Sequence, residues 1–89
     1  MPENDIPTVT LNNGDEVPID KCARILDYLR ETCATKKELS ENLFGLSDFS
    51  GEKGLYDICA LYAKEALDCA DDPDLKAKCY LRLGQLKES

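Results

Sequence analysis

The chain has 89 residues, 33% of them charged, with a net charge of −7 and no histidine. That length allows one small domain with a thin stability margin, since a chain of this size buries only about 60–65% of its unfolded surface. The acidic balance argues against direct nucleic-acid binding, and no apolar run reaches the roughly 18–20 residues needed to span a bilayer.

Residues 1–7 contain Pro2 and Pro7 without periodicity and are expected to form a flexible tail, with residues 8–89 as a single helical domain. The acidic start, Met1 to Asp5, is the opposite of a signal or transit peptide, so a cytoplasmic protein is the expectation. Thr8 to Leu11 alternates, Asn12-Asn13-Gly14-Asp15 is a turn signal, and Glu16-Val17 returns as a second short strand. Asn-Gly supplies the positive φ angles of a two-residue hairpin turn. Such a hairpin is marginal alone and has to pack on the helices.

The first helix is predicted to start after Asp20 as N-cap. Cys22, Ile25, Leu26, Leu29 and Cys33 then form one apolar stripe at i, i+3, i+4, i+7 and i+11. Thr35-Lys36-Lys37-Glu38 has the pattern of a capping box, in which hydroxyl and carboxylate each satisfy a free backbone N–H. Leu39, Leu43 and Leu46 continue the second helix, and Gly45 is expected to stop it in a left-handed cap. A loop over 46–51, pinned by Phe49, should follow. The third helix is expected from about Glu52 to Cys69, with Leu55, Ile58, Cys59, Tyr62, Ala66 and Cys69 on one side. Asp72 caps the fourth helix, Pro73 takes its first position, and Leu75, Cys79, Leu83 and Leu86 form its stripe. Gly84 weakens that helix by about 1 kcal/mol, which suggests a close packing contact there. Residues 87–89 should fray. The expected fold is mainly α: a small four-helix bundle or helical-hairpin domain with a short N-terminal β-hairpin or extended arm.

From Gly54 to Gly84 the order Gly54, Tyr56, Cys59, Ala66, Leu67, Pro73, Tyr80, Leu83, Gly84 resembles part of a tetratricopeptide repeat array. That resemblance implies a helical hairpin used for packing and docking, without the helix that should precede it, because Gly45 and Gly51 interrupt that segment. Residues 22–62, with Ile25 to Leu29, Thr35 to Leu43 and Gly45-Leu46-Ser47, are similar to the opening of helix-turn-helix domains. There the next helix would enter the major groove, but here it opens on Glu52, Lys53 and Asp57, with two acids and one base.

The residue inventory carries little chemistry. Without histidine the usual general base and commonest metal ligand are missing. Gly14, Gly45, Gly51, Gly54 and Gly84 are scattered and form no phosphate-cradling loop. Asp68, Asp71, Asp72 and Asp74 lack the glycine and terminal glutamate of a calcium loop. The spacing of Cys59, Cys69 and Cys79 is similar to that of twin C-x9-C proteins, but those need two such pairs on facing helices. All five thiols, with Cys22 and Cys33, are read as small core residues. No cofactor, metal or enzyme activity is expected.

What is left is protein binding. Leu61 and Leu67 fall off the core stripe of the third helix, and Tyr80 and Leu81 off that of the fourth; Tyr56, Leu61, Tyr80 and Leu81 are the expected apolar and aromatic anchors. Glu52, Asp57 and Asp68 would form an acidic rim attracting a basic partner protein. Residues 41–72 carry eight acids against two bases, so an acidic inhibitor filling a nucleic-acid-binding groove of another protein is the alternative, with a helix-turn-helix DNA binder after it. Self-association as a homodimer through Leu61 and Leu81 fits the same pattern.

Overall fold

A computed structural model describes residues 6–88. The elements run β1 (Thr8–Thr10), β2 (Glu16–Pro18), α1 (Cys22–Thr32), α2 (Lys36–Glu52), α3 (Tyr56–Cys69) and α4 (Pro73–Glu88). The chain is thus mainly helical, with four helices behind a two-stranded antiparallel hairpin.

Val9 lies opposite Val17 in the hairpin. Its turn is wider than the two-residue form expected. Leu11 N–H donates to the Asp15 carbonyl at 2.8 Å and Gly14 N–H to the Leu11 carbonyl at 2.9 Å, so Asn12, Asn13 and Gly14 make the loop. Gly14, at φ +93°, supplies the left-handed residue that closes a three-residue turn. Residues 6 and 7, expected in the tail, are packed against the domain. The Pro7 carbonyl accepts from Ile19 N–H at 2.9 Å, and Ile6 packs against the core. Residues 1–5 of that expected tail lie outside the described residues.

The hairpin is held by burial and by two hydrogen bonds to helices. Leu11, Val17 and Ile19 are buried. The Tyr62 hydroxyl of α3 donates to the Ile19 carbonyl at 2.9 Å, and Asn12 N–H donates to the Tyr28 hydroxyl oxygen of α1 at 2.8 Å. Between hairpin and α1, Lys21 N–H reaches the Pro18 carbonyl and closes a turn. That turn makes Lys21, not Asp20, the N-cap, and no side chain caps α1.

α2 is the main departure from expectation. Thr35 caps it as anticipated, its Oγ1 accepting from Glu38 N–H at 3.1 Å. The helix then continues through Gly45 to Glu52. Ser40, Leu43, Ser47 and Ser50 are buried on one face, so a break at Gly45 would turn half of that face away from the core. Gly45 itself is exposed, and the roughly 1 kcal/mol penalty of a helical glycine is outweighed by this packing. The stop is Gly54. At φ +79° it donates to the Gly51 carbonyl at 3.1 Å, while Leu55 N–H donates to the Ser50 carbonyl at 2.9 Å. These two bonds are a Schellman closure with glycine in the left-handed position. The third helix therefore starts at Tyr56, four residues later than Glu52.

α3 is the central helix: Cys59, Tyr62, Ala63 and Ala66 are buried along it. Its closest neighbour is α2, across a seam of small side chains. Ser47 Oγ donates to the Cys59 carbonyl at 2.8 Å, and a Cβ on Gly51 would stand 3.2 Å from Cys59 Sγ. The buried Ser40 and Ser50 hydroxyls bond back to the carbonyls of Lys37 and Leu46 in their own helix. α4 begins as expected, with Asp72 Oδ1 accepting from Asp74 N–H at 3.0 Å. Leu75 and Cys79 of α4 are buried against α3, and Arg82 pairs with Asp48 of α2 while lying over the Phe44 ring. Gly84 makes no close contact; nothing lies within 4 Å of where its Cβ would be.

Candidate functional site

Among the described residues the large apolar side chains left exposed are Tyr56 (57%), Leu61 (39%), Tyr80 (64%) and Leu81 (64%). All belong to α3 and α4, and they are the four residues expected as anchors, whereas Leu67, also off the expected stripe of α3, is half-buried against the core. Burial explains why. Each helix spends its inward stripe on the seam or on the inter-helix contact, and these positions fall on the outward arc of a helix with 3.6 residues per turn.

They do not form one patch. Tyr56 and Tyr80 line a common groove between α3 and α4, with a volume of about 590 Å³. Its other lining residues are Asp57, Ala60, Lys64, Leu83, Gly84 and Leu86. Leu61, five residues after Tyr56, is turned about 140° from it around α3. Leu81 is likewise about 100° from Tyr80 around α4. Neither leucine lines the groove.

Of the three expected rim acids, Asp57 alone lines this groove. Glu52 ends α2 and Asp68 lies in the last turn of α3, both exposed. Lys64 lines the groove opposite in charge to Asp57, so the groove itself is nearly neutral and the acidic character lies around it. Sequence reading missed Ala60 and Lys64, which recur with Tyr56 at i, i+4 and i+8 and so share its side of α3. It also missed that Gly84 lines the groove, with open space where its Cβ would be.

Burial pushes the thiols of Cys69 and Cys79 above their ordinary range, so both are protonated at neutral pH. The Tyr62 hydroxyl is also raised, first by burial and then by its neighbour Cys22, and it serves as a hydrogen-bond donor to the hairpin. Comparison with protein families, curated proteins and solved structures finds no match to this chain. Among the described residues no helix is long and apolar enough to cross a membrane.

Proposed function

We propose that this chain is a non-catalytic, acidic protein-interaction module, serving as an adaptor, chaperone-like or regulatory subunit. Its contact face is the exposed side of α3 and α4, and its partner is a protein with a basic surface. The observation that carries this reading is that the four large apolar side chains exposed among the described residues all lie on α3 and α4, with two tyrosines flanking a groove. Tyrosine combines a large contact area with a polar tip and is over-represented among the residues that dominate interface energetics. Net charge of −7 supplies the long-range attraction to a basic partner.

Light scattering of the reduced protein over a concentration series tests whether that face is kept for another protein. A monomer at all concentrations is the expected result. A dimer that Leu61→Asp and Leu81→Asp convert to monomer would contradict the reading, because the face would then be covered by a second copy of the chain.

A further inference from the structure

A second cleft, separate from the α3–α4 groove, opens where the hairpin and α1 meet α2. Its volume is about 440 Å³. The floor is apolar, built from Val9, Leu11, Ile25, Leu29 and Leu46. Leu11 and Ile25 are buried, and the other three are half-buried. On the α2 side stand Glu38 and Glu41, and no basic side chain lines the cleft. The other four clefts described each carry at least one lysine or arginine beside their acids. This one does not.

Two of the polar side chains around it donate within the chain. Thr32 Oγ1 donates to the Tyr28 carbonyl, and Asn42 Nδ2 donates to the Glu38 carbonyl. On the α2 side the two carboxylates leave acceptor capacity open to the cleft. The Glu38 carboxylate makes no return bond to Thr35, although the sequence pattern suggests one, and neither Glu38 nor Glu41 has an ion pair among the described residues. The two glutamates stand at i and i+3, which places them side by side about 5–6 Å apart at Cβ. A guanidinium, planar and rich in donors, matches such a pair better than a point-charge ammonium.

We infer that this cleft receives a peptide segment of a protein partner that sets an aliphatic side chain on the floor and an adjacent arginine against Glu38 and Glu41. The inference rests on the proposed function only in taking the partner to be a basic protein, and it uses none of the α3–α4 residues. Charge complementarity selects the segment, and the apolar floor accounts for its aliphatic side chain.

The test is a titration of the isotope-labelled full chain with a synthetic hexapeptide, acetyl-Gly-Leu-Arg-Leu-Arg-Gly-amide, followed by amide chemical shifts. The expected shifts cluster in residues 9–12, 29–33 and 38–46. The double variant Glu38→Gln, Glu41→Gln should weaken binding about tenfold, as the loss of charge-assisted hydrogen bonds implies. Replacing both leucines of the peptide with alanine should weaken it as well. Both glutamates are exposed and the Thr35 cap uses only backbone N–H, so the variant keeps the fold, which its own spectrum reports. No shifts, shifts spread over the acids of residues 68–74, or binding unchanged in the double variant would each overturn the inference. None of these outcomes moves Tyr56 or Tyr80, so failure here is distinct from failure of the α3–α4 reading, which variants at those tyrosines report.

Discussion

Two glycines followed by leucine, Gly45-Leu46 and Gly54-Leu55, carry the same local signal and have opposite fates. Gly45 lies mid-helix with nothing within 4 Å of an added Cβ, whereas Gly54 sits at φ +79°. Gly45→Ala should therefore stabilise the fold by about 0.5–1 kcal/mol, and Gly54→Ala should destabilise it by about 1–2 kcal/mol. Urea unfolding of the two variants checks both signs. Sequence alone chose the wrong glycine because the deciding information is tertiary: which continuation keeps Ser47 and Ser50 facing α3. Asp72 and Thr35 were legible as caps, since a cap is made within four residues. Tyr62 sets a second expectation, this time in pH. Its hydroxyl is raised above the ordinary 10.0, and the thiols of Cys69 and Cys79 above the ordinary 9.0. These groups ionise more readily in the unfolded chain. Their contribution is fully present below about pH 9 and is lost as pH climbs through 9–10 toward the folded values. Stability measured by thermal unfolding should be flat from neutral pH to about 9 and then fall. In Tyr62→Phe the fall should be shallower, from a baseline about 1 kcal/mol lower for the lost bond to Ile19.

At the scale of elements, the tightest helix pair is α2 with α3, not the α3–α4 hairpin that the small residues and tyrosines of residues 54–84 suggest. Cys59, Ala63 and Ala66 do permit close approach, but the partner surface that uses it is Ser47, Ser50 and Gly51 of α2. Serines on a helix read as solvent-facing in a sequence, and here three of them are buried with their hydroxyls satisfied. Ser47→Ala should cost about 1 kcal/mol, the net value of its bond to the Cys59 carbonyl. Ser47→Leu should cost about 2–4 kcal/mol, because the seam has no room for the added side chain. Equilibrium unfolding of the pair separates the lost hydrogen bond from the overpacking. The hairpin was legible because alternation and Asn-Gly are local signals. Its three-residue turn was not, since the choice between two- and three-residue closures depends on how the strands seat Leu11 against the core.

The whole molecule is a slab, with principal extents of 40 × 34 × 16 Å. Packed helices lie about 8–10 Å apart axis to axis, so 16 Å holds no more than two layers. A thin slab buries one stripe of each helix and leaves the outward arcs of α3 and α4 uncovered, which is why Tyr56, Leu61, Tyr80 and Leu81 are exposed together. The candidate face was legible as a set of residues left over after the core stripes were assigned. Its division into a tyrosine groove and two outlying leucines was not, because that depends on how the two helices are rotated against each other. The most direct measurement is quantitative capture of binding proteins by the full chain, comparing wild type with Tyr56→Ala, Tyr80→Ala, Leu61→Asp and Leu81→Asp. The account predicts a basic protein that is retained at low salt, weakened as salt rises, and lost at least tenfold in the Tyr80→Ala variant while the variant's fold is unchanged. Capture that is indifferent to all four substitutions would contradict it.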